Sequence, residues 1–133
     1  MNAILLDTNV ITALFQGESE VLNVVAKADC VYMSAIVIGE LEAGFRGGSR
    51  YAANLAVLER FLAKPSVEIL QVGRITGECF GRVKQALKVK GTPIPINDIW
   101  LAAQSMETGA LLVTYDSHFD HVDGLRIRTL PAC

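Results

Sequence analysis

Ala3-Ile4-Leu5-Leu6-Asp7-Thr8-Asn9 holds a strand, an acid and a helix start in one short stretch. Four apolar residues in a row read as a strand buried on both faces. The Asp-Thr-Asn that follows supplies side-chain oxygens suited to a helix N-terminus. Near the other end, Leu111-Leu112-Val113-Thr114-Tyr115-Asp116 has the same build, an apolar run closed by an acid. Working outward, helical patterns cover residues 9–16 and 19–28, and Cys30 to Met33 reads as a second strand. Residues 35–45 are helical and stop at Gly47-Gly48. Arg50 to Lys64 gathers Leu55, Leu58, Phe61 and Leu62 on one side and is ended by Pro65. Val67 to Val72 alternates as a strand, and residues 75–89 form a helix with Phe80, Val83 and Leu87 on its apolar stripe. Gly91 to Ile96 carries two prolines and is expected to be an extended loop. Asp98 then opens a helix that runs through Glu107 and ends at Gly109, and residues 126–130 supply an edge strand. Strands separated by helices imply an α/β fold: a three-layer sandwich with a mainly parallel central sheet, formed by a single domain over residues 1–133. In such sheets ligands gather beyond the carboxyl ends of the strands.

Composition narrows the function classes. A chain of 133 residues is long enough to bury a core without disulfides or a structural metal. Its 51% hydrophobic content and mean hydropathy of +0.36 exceed what one small core needs, which points to an oligomer or partner surface. The longest apolar run, Val31 to Ile38, is broken by Ser34 and falls far short of the ~18 residues of a membrane span. No basic stretch or cleavage site precedes the first strand, so no signal peptide is expected. Cys30, Cys79 and Cys133 are widely spaced and odd in number, as suits a reducing cytoplasm. A net charge of −2 excludes a globally basic nucleic-acid binder. The cations are uneven, however. Arg82, Lys84, Lys88 and Lys90 share a stretch with no acid, and Arg46 and Arg50 flank a Gly-Gly. Alone they read as a solvated face; beside an acidic centre, Lys84 and Lys88 would hold an RNA backbone.

Four acids stand where chemistry would be placed. Asp7 and Asp116 close apolar strands, Asp98 begins a helix after the proline loop, and Glu40 lies inside a helix. At about 100° per residue, the nearest helical neighbours of Glu40 are Ile36, Val37, Ala43 and Gly44, an unusual small and apolar face for an acid. Glu42 differs, because Arg46 at i+4 makes it an ordinary exposed pair. Each acid has a plain structural role open to it: Asp98 as an N-cap, Asp7 and Asp116 as turn residues, Glu40 as a backbone partner. If the two strands are central and parallel, all of these acids meet at one sheet edge. Carboxylates so placed would repel unless a cation sat among them, and oxygen-only ligands without His or Cys suit Mg²⁺ or Mn²⁺ rather than zinc.

The segments LLDTNV, SAIVIGELEAGF, IPINDIWLAA and GALLVTYDSHF resemble, in order and spacing, the successive motifs of PIN domains. The helix NLAVLERFL and the ending HFDHVDGLRI bring the chain nearest to VapC-type toxins. That resemblance implies a metal-dependent endoribonuclease, the toxin of a toxin–antitoxin pair, hydrolysing tRNA or rRNA to leave a 5′-phosphate. It implies that Asp7, Glu40, Asp98 and Asp116 form the Mg²⁺ site, with Asp7 and Asp98 the usual ligands, and that Asn9 and Thr114 help orient the acids or bound water. It also implies a cognate antitoxin, and the surplus apolar surface adds an expected homodimer.

Other residues read more plainly. His118 and His121 fit a short surface turn, with no partner for catalysis apparent in sequence. Trp100 and Phe119 are expected in the core, and Gly39 and Gly44 are expected to allow close helix packing near Glu40. Two rival classes stay open. A phosphotransfer domain also places an Asp after its first strand, but position 9 is Asn rather than the second Asp that the haloacid-dehalogenase type requires. A non-catalytic RNA- or protein-binding module with an idle acidic pocket is the other.

Overall fold

The computed structural model describes residues 2–132. Met1 lies outside them, as does Cys133, the third of the cysteines above. Five strands form one sheet: β1 (Ala3–Leu6), β2 (Cys30–Ser34), β3 (Val67–Leu70), β4 (Leu111–Thr114) and β5 (Ile127–Thr129). Six helices connect them: α1 (Thr8–Phe15), α2 (Ser19–Ala26), α3 (Ala35–Gly47), α4 (Tyr51–Leu62), α5 (Arg74–Lys90) and α6 (Ile96–Thr108). A 3₁₀ turn, Ser117–His121, follows β4.

Every strand pairing is parallel, in the order β3-β2-β1-β4-β5. The chain first steps from β1 outward to β2 and β3, then returns to β4 on the other side of β1. Right-handed crossovers therefore put α1–α4 on one face and α5–α6 on the other. The reversal leaves a crevice beyond the carboxyl ends of β1 and β4, where ligands bind in open α/β sheets.

Burial explains why β1 and β4 are central. Consecutive residues Ile4, Leu5 and Leu6 are all buried, as are Leu112, Val113 and Thr114, so both faces of each strand are covered. Each fully buried leucine contributes about 1.5–3 kcal/mol relative to exposure. Edge strand β3 follows a half-exposed pattern, and β5 is more exposed still. Pairing continues one residue past β1, because the Asp7 amide donates to the Val113 carbonyl at 3.0 Å. That bond locks Asp7 beside the end of β4.

Three expectations need correction. The helix carrying Asp98 begins at Ile96 with Pro95 as its N-cap, so Asp98 is the third helical residue and caps nothing. In the first turn its charge is still favoured by the helix dipole, and its carboxylate is free to face the crevice. Gly39 and Gly44 allow no close helix approach, since a Cβ at either would meet nothing within 4 Å. The small face of α3 borders open space instead. Finally, Glu42 is more than a surface pair: it accepts from Arg46 Nε at 3.0 Å and from the Tyr51 hydroxyl, tying α3 to α4. Phe119 is core as expected, whereas Trp100 is half-buried and stacks on Phe80 at 4.0 Å between ring centroids.

Candidate metal centre

Asp7 is placed by β1 and used twice. As the N-cap of α1, it accepts from the Thr8 amide through Oδ1 at 2.7 Å. Its Oδ2 accepts from the fully buried Thr114 hydroxyl, also at 2.7 Å, across the gap between β1 and β4. The residue is only 7% exposed. Burial pushes its pKa above the usual carboxylate range, the bonds from Thr114 and Thr8 pull it back, and Glu40 and Asp116 push it up again.

Glu40 arrives from α3 on the exposed side and accepts from Thr8 Oγ1 at 2.7 Å. Thr8 thus links two of the acids, its amide held by Asp7 and its hydroxyl by Glu40. Asn9 is exposed and borders a neighbouring hollow with Tyr115 and Gln16. It makes no hydrogen bond to Asp7, Glu40, Asp98 or Asp116, and Thr8 is the residue that orients an acid there.

Asp98 and Asp116 form the other side, and His118 joins them. Its Nε2 lies 2.5 Å from Asp98 Oδ2, and its Nδ1 lies 2.9 Å from Asp116 Oδ1. The Nε2 contact is close but does not have hydrogen-bond geometry, so this buried nitrogen has no hydrogen-bond partner. Asp116 caps the 3₁₀ turn, accepting weakly from the His118 amide at 3.5 Å, while its own amide donates to Thr114 Oγ1 at 3.0 Å. Burial raises the Asp98 pKa, Asp7 raises it further, and His118 offsets part of the rise. One ligand atom each from Asp98, Asp116 and His118 can be chosen so that all lie within 4.8 Å of one another.

That donor set fits a divalent cation. Two carboxylates and one imidazole converge on a small volume, and an orphaned buried nitrogen faces it. Asp7 stands close enough to perturb both Asp98 and the crevice field, though it lies outside this tight group.

Residues 4–125 match the PIN domain model. The chain belongs to the PIN-domain family. Within it, this PIN domain is 32% identical to the ribonuclease VapC2 of Haemophilus influenzae over 127 residues, covering 92% of this chain and 93% of that one. Its fold superposes on VapBC2 from Rickettsia felis, solved bound to a promoter DNA fragment, with a TM-score of 0.85 and 25% identity, covering 96% of this chain and 98% of that one. VapBC-5 from Mycobacterium tuberculosis, a member of the VapBC family of toxin–antitoxin systems, gives a TM-score of 0.76 at 26% identity, covering 99% and 100% of the two chains. No helix among the described residues of this PIN domain is long and apolar enough to cross a membrane.

His118 belongs to the site rather than to a plain surface turn, and the signal for it in the sequence is its neighbour. Phe119 is fully buried, and a large anchored ring directly after His118 pins the 3₁₀ turn against the sheet end. Two residues after a strand-ending acid, a pinned side chain turns back toward that acid.

Proposed function

We propose that this chain is a metal-dependent endoribonuclease, a single PIN nuclease domain serving as the toxin of a VapBC-type pair and cutting tRNA or rRNA in the cytoplasm. The observation that carries the reading is the convergence of Asp98 and Asp116 on one small volume beside Asp7, at the crevice between β1 and β4. Asp7, Glu40, Asp98 and Asp116 would hold Mg²⁺ or Mn²⁺, with Asp98 and Asp116 in the tightest group of ligand atoms. When bound, such an ion supplies activation of water and charge neutralisation at the phosphodiester. Thr114 and Thr8 keep Asp7 and Glu40 in place, which preorganises the site before RNA arrives. The open small face of α3 leaves room for the strand.

Lys84 and Lys88 are exposed on α5 and border a hollow of about 270 Å³ with Pro93, Ile94 and Ile99. Phosphates held by these lysines would lie over the loop that leads into α6. Lys90 is committed elsewhere, donating to the His121 carbonyl at 2.7 Å and to Asp123 at 3.2 Å.

The helical face of α1, α2 and α4 offers the antitoxin a seat. Phe15, Leu22, Val25, Val57 and Phe61 line an apolar groove of about 560 Å³ with Arg60 and Lys64 at its rim. Phe15 also borders a second hollow with Leu41, the residue after Glu40. An amphipathic segment bound there would be led toward the carboxylates, where its own cation could displace the metal. Exposed Val89 and Ile96 leave apolar area for a second copy in a homodimer.

Expression of the wild-type chain alone in a bacterium tests this. Growth should slow, and Asp98→Asn or co-expression of the protein encoded by the adjacent gene should restore it. A wild-type chain as harmless as Asp98→Asn would overturn the toxin reading.

A further inference from the structure

His118 is not explained by an acidic site that needs only oxygen ligands. Both ring nitrogens face carboxylates, at 2.5 Å from Asp98 and 2.9 Å from Asp116. If Nδ1 keeps its proton toward Asp116 Oδ1, the buried Nε2 presents a lone pair beside Asp98. A histidine held by a carboxylate at one nitrogen commonly offers the other to a metal. Nε2 is buried and lies 2.5 Å from Asp98 Oδ2 without hydrogen-bond geometry, so its lone pair is free to serve a cation shared with that carboxylate. One ligand atom from each of the three residues lies within 4.8 Å of the others, so small side-chain adjustments bring all three to one ion.

We propose that His118 is a direct nitrogen ligand to the divalent ion held by Asp98 and Asp116, and that it biases the site toward Mn²⁺ over Mg²⁺. Magnesium favours oxygen ligands and retains its waters, whereas an imidazole nitrogen suits first-row transition ions. The inference rests on the reading of this crevice as a metal centre. It adds a ligand of a different element, supplied by the turn after β4 rather than by a strand end or helix.

The test uses the full chain without a histidine tag, because its own 2 histidines must be the only imidazoles present. Mn²⁺ is added and its nitrogen couplings are read by pulsed electron paramagnetic resonance; Mn²⁺ and Mg²⁺ affinities are measured by calorimetry. Wild type should show imidazole nitrogen coupling that persists in His121→Ala and vanishes in His118→Ala. The ratio of Mn²⁺ to Mg²⁺ affinity should fall about tenfold in His118→Ala, the lower end for loss of a group supporting a metal site. Bound Mn²⁺ without nitrogen coupling in the wild type overturns the inference, and that measurement needs no variant to fold. Asp98→Asn separates the two levels. If it loses Mn²⁺ while His118→Ala keeps both affinity and selectivity, only the ligand role of His118 fails. If Asp98→Asn binds Mn²⁺ like the wild type, the metal centre itself is misplaced.

Discussion

The acids on the β1 side of the crevice and those on the β4–α6 side share one field but are held by different means. Asp7 has a hydrogen bond on each oxygen, and Glu40 takes the hydroxyl of Thr8. These bonds come from backbone and from threonines fixed by the sheet and α1. Asp98 and Asp116 instead face an imidazole whose buried nitrogen is unsatisfied, and no backbone or hydroxyl donor reaches Asp98 among the described residues. One side of the crevice is already ordered by protein donors, and the other faces an imidazole; the carboxylates of both sides keep lone pairs open to a cation.

The largest effect expected from that division is at Asp98. Asp98→Asn should lower RNA cleavage by on the order of 10²–10³-fold, the scale for losing one preorganised charge-stabilising group. Metal binding should weaken with it, while circular dichroism keeps the native fold. Thr114→Val keeps the shape of a buried side chain but removes the donor to Asp7 Oδ2 and the acceptor for the Asp116 amide. Activity should fall about 10–100-fold, as for groups that orient metal ligands. If Thr114→Val were as inactive as Asp98→Asn, the two halves would not differ in kind.

The pH dependence sharpens the same contrast. Asp7 and Asp98 have pKa values raised by burial, so the folded chain binds more protons than the unfolded chain above the ordinary carboxylate value. Their contribution to stability is present below about pH 4 and is lost as pH rises through the raised values. Melting of the metal-free protein should show this loss, and Asp98→Asn should flatten it and raise the melting temperature near pH 7. Saturating Mn²⁺ should reverse the order, stabilising wild type more than the variant. A variant that melts below wild type without metal would mean that Asp98 is a structural ligand of the fold.

Smaller effects belong to surface charges. Lys84→Ala with Lys88→Ala should weaken RNA binding and lower its salt slope by about 1 for each phosphate no longer neutralised, with metal affinity unchanged. An unchanged slope would assign both lysines to a solvated face. Glu42→Gln should leave cleavage intact and cost about 0.2–1 kcal/mol of stability, since its Arg46 partner is exposed, although Tyr51 adds a link to α4. A loss of cleavage like that of Glu40→Gln would show that Glu42 reaches the crevice.

Much of this was legible in the chain because strands buried on both faces leave continuous apolar runs. Ile4–Leu6 and Leu112–Thr114 announce the two central strands, and the acid following each announces the crevice. The parallel sheet, the helix order and the placing of Asp7 and Asp116 at one sheet edge follow from that pattern. What stayed hidden depends on local turn geometry. Asp98 resembles an N-cap in sequence because proline and asparagine precede it, yet Pro95 can begin a helix without a side-chain cap. Thr8 and Asn9 look equally able to orient an acid, and only the helical phase of α1 turns Thr8 toward Glu40. His118 required the depth of Phe119, which polar residues alone do not reveal.

The proposed role of Asp98 and Asp116 in holding an ion needed for RNA cleavage is decided by treating a bacterial tRNA and rRNA mixture with purified wild type and Asp98→Asn, with Mn²⁺ titrated from zero and product ends mapped. Wild type should cut at discrete sites only when metal is present, leaving 5′-phosphates, and Asp98→Asn should leave the RNA whole at every concentration. Cleavage that persists in chelator, or that Asp98→Asn performs as well as wild type, would contradict the account.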